Sequence, residues 1–275
     1  MTVHHLNCGT LRPVGRRLVN GDGGLLAPAE LVCHCLLVET DAGLVLVDTG
    51  IGMHDVRHAG ASLGRTFTTV VRPALDAGET AVHQVRRLGY DPADVRHIVL
   101  THLDLDHAGG LPDFPHAAVH VLGDELDAAL HPRTRRDRAR YRRDQWAHGP
   151  DWHTYAADGA PWFGFAAARE LDGLPPEILL VPLAGHTRGH AGVAVDTGTG
   201  WLLHAGDAYF FHGETDPAHP RSTPALRLFQ SLVETERAPR LANQRRLLEL
   251  AREHGDEVRL CSAHDPVELR AYATV

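Results

Sequence analysis

Four potential metal ligands stand within six residues of this sequence, at His102, Asp104, Asp106 and His107. Imidazole nitrogens and carboxylate oxygens are the ligands that zinc and related divalent ions use in proteins. In an extended segment, alternation places His102 and Asp104 on one side, and a turn into a following helix brings Asp106 and His107 round. Residues 108–110, Ala-Gly-Gly, allow close approach of the backbone. The motif therefore predicts a metal site between the end of a strand and the start of a helix.

Three further candidates follow, each where a strand or loop is expected to end: His186, Asp207 and His264. Taken alone, His186 fits a loop histidine, Asp207 a turn residue or helix cap, and His264 a surface residue. Their combination with the first motif favours a metal centre.

Two hairpins are predicted around these candidates. Residues 36–40 and 44–48 are apolar runs separated by Asp-Ala-Gly, which is typical of a turn. A similar unit, residues 193–197 and 201–204 around Gly-Thr-Gly, recurs later in the chain.

A helix followed by a buried strand also occurs twice. Apolar spacing predicts helices over 79–90 and 241–254. The strands predicted after them, 95–100 and 258–261, each lead to a candidate histidine. Two such halves indicate an internal duplication and a layered α/β fold in which helices cover the sheets.

Residues 124–176 break this pattern. They hold seven arginines between Arg133 and Arg143, followed by three of the four tryptophans. We expect a helical insertion with the arginines on a solvated face. The aromatic side chains either pack onto the body of the protein, form a lid over an apolar substrate pocket, or make a homodimer interface.

Composition excludes several functions. The formal net charge of -8 argues against nucleic-acid binding, and the absence of lysine excludes Schiff-base chemistry. No apolar run approaches the roughly 18 residues that cross a bilayer, and the first residues lack a signal-peptide pattern. The four cysteines form no CxxC pair. We expect a cytoplasmic protein with free thiols that acts on a small molecule, without a nucleic-acid or membrane partner.

Five sequence elements together resemble the metallo-β-lactamase superfamily. Residues 101–110 resemble its THxHxDHxGG signature, and residues 185–190 its GHTxGH element. Residues 47–50 match its early DTG turn, Asp207 its bridging aspartate, and residues 262–265 the segment of its last histidine. The elements occur in the family's order over about residues 30 to 265.

The resemblance implies one domain over residues 1–275, folded as a four-layer αββα sandwich, with two metal sites. The first site would use His102, Asp104 and His186; the second Asp106, His107 and His264; Asp207 would bridge both ions. Asp48 would orient ligands or fix its turn, and His190 would be a structural hydrogen-bonding partner.

The sequence departs from the family at Asp104, where a second histidine is usual. Two histidines and a carboxylate form a harder, more anionic ligand set that also suits iron. We therefore expect two divalent ions, zinc first, with iron or manganese as alternatives. If Asp104 is too short to reach the ion, a single-metal enzyme results.

A two-metal site predicts hydrolysis. A water that bridges two divalent ions has its pKa lowered from about 16 towards about 7, which provides a metal-bridged hydroxide as nucleophile. Asp106 would pass a proton to the leaving alkoxide. Tyr209 either donates a hydrogen bond to the oxyanion or packs in the core; lactonases of the family have a tyrosine one position further, where this chain has Phe210.

Residues 6–10 and 185–190 also look lactonase-like, so the predicted substrate is a lactone or a related carboxylic ester. Three alternatives stay open: a phosphoester or thioester hydrolase of the same fold, an iron-dependent oxygen or sulfur enzyme, and a non-catalytic relative that binds metal or ligand.

Overall fold

The computed structural model describes residues 1–273. In it, the apolar runs predicted at residues 36–40 and 44–48 form an antiparallel hairpin. β2 (Leu31–Thr40) and β3 (Gly43–Val47) pair with Leu36 opposite Val47. Gly43 begins β3 with a φ of 113°, a conformation that favours glycine. The predicted first hairpin is confirmed.

This hairpin belongs to a six-stranded sheet. The other strands are β1 (Val3–Leu11), β4 (Val95–Val99), β5 (Ala118–Leu122) and β6 (Asp151–Tyr155). The strands lie in the order β1 to β6, antiparallel from β1 to β3 and parallel from β3 to β6.

A second sheet also has six strands. They are β7 (Ala160–Trp162), β8 (Phe165–Glu170), β9 (Ile178–Pro182), β10 (Ala191–Asp196), β11 (Trp201–His204) and β12 (Val258–Cys261). Their order is β12-β11-β10-β9-β8-β7, and β10 and β11 are the predicted second hairpin.

The two halves repeat one connection. In the first, β3 of the hairpin pairs in parallel with β4; in the second, β11 pairs in parallel with β12. Parallel neighbours require a crossover, usually through a helix, and a helix lies in each connection. The predicted duplication is therefore present in the sheet topology.

Nine α-helices accompany the two sheets within residues 1–273. They are α1 (Arg16–Val19), α2 (Met53–Ser62), α3 (Arg65–Val70), α4 (Ala81–Arg87), α5 (Gly123–Leu130), α6 (Arg135–Arg140), α7 (Pro224–Val233), α8 (Arg237–Glu253) and α9 (Pro266–Ala273). The helices predicted over 79–90 and 241–254 appear as α4 and α8.

Side chains on both faces of each sheet are buried. Leu36 and Val45 belong to a cluster shared with Val193 of the second sheet, so they fill the space between the sheets. Leu37, on the opposite face of β2, packs in the cluster that includes Val85 of α4. Burial on both faces explains why the strands are continuous apolar runs, and it confirms the four-layer αββα sandwich.

The segment 124–176 is only partly the helical insertion that we predicted. Its first part contains α5 and α6, but its later part supplies β6 to the first sheet and β7 and β8 to the second. The tryptophans pack into the cores, with Trp146 in the first-sheet cluster and Trp162 beside Trp201. The aromatic residues therefore extend the sandwich and do not form a lid.

The prediction of a helix directly after His107 is also wrong. Residues 105–107 form a turn, and a single 3₁₀ turn follows at Leu111–Asp113. The Gly-Gly sequence after the motif is used for close packing: the ideal Cβ position of Gly110 lies 2.8 Å from the Thr49 carbonyl oxygen.

None of the helices within residues 1–273 has both the length and the apolar character to cross a membrane. All four cysteines are buried with free thiols.

The close contact between the β3–α2 loop and residues 102–110 can be tested at Gly52. A Cβ atom there would lie 2.1 Å from the carbonyl oxygen of Gly109, so we expect Gly52→Ala to lower the free energy of unfolding by about 1–3 kcal/mol. Gly60→Ala is the matched control, because its Cβ would meet nothing within 4 Å; it should be neutral or stabilising by up to about 1 kcal/mol. Denaturant unfolding measures both, and equal values for the two variants would contradict the prediction.

Candidate metal centre

The candidate ligands follow strands of both sheets and gather at one edge of the sandwich. His102 follows β4, His186 follows β9, and Asp207 and His264 follow β11 and β12. Because this edge lies at the carboxyl ends of the parallel strands, the two halves of the duplication bring their loops together there.

The first group consists of His102, Asp104, His186 and Asp207. The Oδ2 atom of Asp104 lies 2.9 Å from His186 Nε2 and 3.5 Å from His102 Nε2. Asp207 Oδ2 lies 3.4 Å from His186 Nε2 and 3.8 Å from His102 Nε2. Asp104 therefore reaches the other members of its group despite its short side chain.

The second group is built around the other oxygen of Asp207. Asp207 Oδ1 lies 3.2 Å from His107 Nε2 and 3.1 Å from His264 Nε2. Asp106 is more peripheral, with Oδ2 at 3.8 Å from His264 Nε2. Since Asp207 directs one oxygen into each group, its geometry suits a bridging ligand.

The residues present fit two divalent ions. Ligand atoms about 2.1 Å from a tetrahedral zinc ion lie about 3.4 Å apart, close to the separations within each group. His102 Nε2 and Asp207 Oδ1 are buried and have no hydrogen-bond partner within residues 1–273. Such buried polar atoms are costly unless something satisfies them, and a cation among them would do so.

Hydrogen bonds on the far side of three imidazoles direct their Nε2 atoms into the centre. His107 Nδ1 donates to Asp48 Oδ2 at 2.8 Å, and His264 Nδ1 donates to the Val32 carbonyl at 2.7 Å. His102 Nδ1 lies 2.9 Å from the hydroxyl of Thr101, which itself donates to Asp48. A nitrogen that donates leaves the other nitrogen with its lone pair, as metal binding requires.

The protonation states of Asp207 and His186 suit cation binding, whereas His107 and His264 must release protons to bind an ion. Burial opposes protonation of those two imidazoles, but the Asp207 carboxylate raises the pKa of both. Burial opposes ionisation of Asp207, but the His264 and His107 imidazoles hold the pKa of its carboxyl well below the usual range. Burial lowers the pKa of His186 to about 4. Near neutral pH, Asp207 is therefore a carboxylate and His186 a neutral imidazole, the forms that coordinate metals.

Asp48 and His190 have the supporting contacts expected of them. Asp48, with a φ of 54°, accepts hydrogen bonds from the backbone N–H and the hydroxyl of Thr101 as well as from His107. His190 accepts from the N–H of Asp207 at 2.9 Å and donates to the Leu183 carbonyl. Both side chains fix the loops that carry candidate ligands.

Three residues at the site were missed from the sequence. Glu125 is fully buried and accepts from the N–H groups of Leu103 and Gly189, so it ties two ligand loops together. Arg140 approaches Asp104, with Nε 3.4 Å from Oδ1. Cys33 forms a further potential ligand group with Asp106 and His264.

The sequence gives only a weak signal for these residues. Glu125 is an ordinary acidic residue in the first turn of a helix, Arg140 is one of seven similar arginines, and Cys33 lies inside an apolar strand. Their proximity to the site arises from tertiary packing.

Of the two roles left open for Tyr209, the structure favours packing in the core. Its side chain is 1% exposed, lies in the core cluster under α8, and donates its hydroxyl to Glu268 at 2.9 Å. The next residue, Phe210, faces the centre and stacks on His264 with ring centroids 5.2 Å apart. Adjacent residues point in opposite directions here, so Tyr209 and Phe210 cannot share one surface.

A cavity of about 510 Å³ opens onto the two groups. Asp104, Asp106, His186, Asp207 and His264 form its polar end. Its remaining wall is mainly apolar and includes Leu11, Val19, Phe67, Phe210, Phe229 and Leu232. From the segment 124–176, only α6 contributes, through Arg136, Ala139 and Arg140. The cavity therefore combines a polar, metal-binding end with a long apolar surface.

Comparison with known proteins agrees with this architecture. The family model described as the Metallo-beta-lactamase superfamily matches residues 28–243. A Mycobacterium tuberculosis protein named "probable metallo-hydrolase" is 47% identical over 264 residues, which cover 96% of this chain and 80% of that protein. An N-acyl homoserine lactonase of Bacillus thuringiensis is 33% identical over 124 residues, 43% of this chain and 50% of that enzyme.

Solved structures show the same fold. A mutant of the Bacillus thuringiensis protein AiiA, with N-decanoyl-L-homoserine bound at its active site, superposes with a TM-score of 0.72 at 21% identity, covering 98% of this chain and 95% of that one. A dizinc quorum-quenching lactonase, AidC, superposes with a TM-score of 0.62 at 16% identity, covering 96% and 87%.

The chain belongs to the metallo-β-lactamase superfamily. Within that superfamily it is a metallo-hydrolase with lactonases among its relatives.

The role of Asp48 can be tested by metal binding. Asp48→Asn keeps only one of the two acceptor oxygens, which cannot serve the Thr101 N–H as well as the Thr101 hydroxyl and His107 Nδ1. We therefore expect the imidazole of His107 to lose its orientation. We expect the affinity of the group around Asp207 and His107 for added Zn²⁺ to fall about 10–100-fold, measured by competition with a chromophoric chelator. Asp41→Asn, at the exposed turn before β3, is the control; an unchanged affinity in Asp48→Asn would show that the contact is dispensable.

The core position of Tyr209 can also be tested. Tyr209→Phe removes the hydrogen bond to Glu268, so we expect a loss of about 1–3 kcal/mol in the free energy of unfolding with kcat within about twofold of wild type. Removal of a true oxyanion donor costs about 10²–10³ in kcat. A loss of that size would return Tyr209 to the mechanism.

Proposed function

We propose that this protein hydrolyses a lactone or a related carboxylic ester with an apolar substituent, using a centre of two divalent metal ions. The observation that carries the proposal is the position of two ligand groups, joined by Asp207, at the polar end of an apolar cavity. Relatives named metallo-hydrolase and N-acyl homoserine lactonase support it.

The proposed ligand sets build on the two groups, and Asp106 joins the second through its place beside His264 and Cys33. His102, Asp104 and His186 would hold the first ion, and Asp106, His107 and His264 the second, with Asp207 between them. When bound, the ions supply a water of lowered pKa and polarise the substrate carbonyl. Zinc is the ion we propose, and the second carboxylate at Asp104 keeps iron or manganese as alternatives.

Asp106 is suited to proton transfer. Its carboxylate lines the cavity, and it is held less tightly than Asp207, with Oδ2 at 3.8 Å from the nearest imidazole nitrogen of the centre. A carboxylate between the reacting carbonyl and the leaving group can take a proton from the attacking water and deliver it to the departing alkoxide oxygen. We propose this role for Asp106.

Phe210 shapes the reaction space without donating a hydrogen bond. Its ring stacks on His264 and lies 6.0 Å from the ring of His186. The phenyl group excludes water from the imidazoles and continues the apolar wall. Because Phe210 has no hydroxyl, stabilisation of the oxyanion falls to the metal centre and not to a side chain at this position.

The cavity wall favours a neutral head group with an apolar chain. Three carboxylates at the polar end would balance most of the charge of two divalent ions, which leaves little net attraction for a dianionic phosphate. Among the described residues of the lining, the guanidinium groups are those of Arg136 and Arg140. Arg140 is engaged with protein groups. Carboxylic esters are therefore the better candidates than phosphoesters, and the substrate is a small molecule.

The experiment is a substrate panel with metal analysis. Protein purified without added metal should contain two ions and hydrolyse lactones and esters, with kcat/KM rising about fourfold for each added CH₂ that the cavity buries, equivalent to about 0.8 kcal/mol. Phe229→Ser should weaken this dependence on chain length. Leu228→Ser, the exposed neighbour on α7, should leave it intact.

Other outcomes decide between the alternatives. Stoichiometric iron without ester hydrolysis would favour an oxygen or sulfur enzyme. Bound metal without turnover on lactones, esters, thioesters or phosphoesters would favour a non-catalytic relative. Chelated protein serves as the blank in each assay.

A further inference from the structure

Arg140 occupies an unusual place for a cationic side chain beside a metal centre. It lies on α6, and its side chain is 10% exposed. Its Nε atom is 3.4 Å from Asp104 Oδ1, an ion pair in which Oδ1 accepts no hydrogen bond from the residues that the structure describes. The other oxygen of the same carboxylate, Oδ2, faces His186 and His102 within the first group. The Asp104 carboxylate is thus shared between a guanidinium on one side and the candidate ion position on the other.

Each terminal nitrogen of Arg140 donates one hydrogen bond to a backbone carbonyl. Nη1 donates to the carbonyl of His186 at 2.8 Å, and Nη2 donates to the carbonyl of Val233 at the end of α7. The guanidinium therefore connects α6, the His186 loop and α7. With Nε in ion-pair range of Asp104 and both terminal nitrogens donating to carbonyls, Arg140 is built for a fixed position and not for capture of an anionic substrate.

A fixed guanidinium constrains the orientation of the Asp104 carboxylate. Aspartate is shorter than histidine and can rotate about χ2, so its oxygens need an external constraint to present one of them to an ion. Contact of Oδ1 with Arg140 leaves Oδ2 directed at the centre. The positive charge of Arg140 also offsets the extra negative charge that aspartate brings in place of a neutral imidazole.

We propose that Arg140 is a positioning residue for Asp104, and that the two side chains act as one unit in place of a neutral ligand. The proposal rests on the metal centre of the proposed function. It assigns Arg140 no contact with substrate. Its consequence is that neither member of the pair can be exchanged alone without loss of the first ion.

The test is a double-mutant cycle read out by zinc binding. Arg140→Met frees the Asp104 carboxylate, so we expect the affinity for the first ion to fall about 10–100-fold. Asp104→His supplies an imidazole but leaves Arg140 as an uncompensated buried cation beside the ion, so it should also lose affinity. In the double variant that repulsion is absent, and the affinity should recover to within about tenfold of wild type.

Two measurements follow each variant: ions retained after dialysis, and the zinc dissociation constant from competition with a chromophoric chelator. Wild type and the double variant should retain two ions, and each single variant one. Arg138→Met is the matched control, because Arg138 is exposed on the same helix; it should retain both ions. Circular dichroism and thermal unfolding of the chelated proteins report whether each variant is folded.

The outcomes separate this proposal from simpler roles. A purely structural Arg140, acting through the carbonyls of His186 and Val233, would lower affinity by the same factor whether residue 104 is aspartate or histidine, and that result would overturn the proposal. Unchanged affinity in Arg140→Met would do the same. Wild-type protein that retains no ion would instead overturn the proposed function, and the inference with it.

Discussion

The carboxylate of Asp207 is the interaction on which the rest of the site depends. It is buried between four imidazoles, and each of its oxygens faces a different ligand group. A buried carboxylate in such a position is stable only if its surroundings supply positive charge or donors. The arrangement of strands, loops and supporting side chains is the means by which the protein meets that requirement at one edge of the sandwich.

Support for the centre comes from residues outside the ligand set. Asp48 holds the loop after β4 and the ring of His107, Glu125 joins two ligand loops, and His190 accepts from the backbone of Asp207. These contacts are buried and span long distances in the sequence. They make the position of each candidate ligand a property of the packed sandwich and not of its own loop.

Much of the fold followed from the sequence because local patterns and global packing agree. The hairpins, the helices before β4 and β12, and the order of the candidate ligands were all predicted. Local pattern was insufficient where tertiary contacts override it. Tyr209 follows a candidate ligand closely in sequence, but the backbone turns its ring towards Glu268. The aromatic segment contains strands because β6 extends the first sheet beside β5, and β8 extends the second sheet beside β9.

The contribution of Arg140 was not predictable for the same reason. Seven arginines in eleven residues look alike in a sequence, and most are solvated. Only the packing of α6 against the His186 loop distinguishes the one that meets Asp104. Its signal in the sequence is indirect: an aspartate where a neutral ligand is usual requires a compensating cation somewhere in the fold.

The composition of the two ligand groups has a consequence for the stability of the sandwich. Each group takes members from both halves of the duplication, so an ion bound in either group joins the first sheet to the second. Such an ion acts as a cross-link between two layers that apolar contacts and buried hydrogen bonds, such as that from His264 to the Val32 carbonyl, also join. The folded state is then thermodynamically linked to the concentration of free metal, and neither half of the duplication contains a complete site by itself.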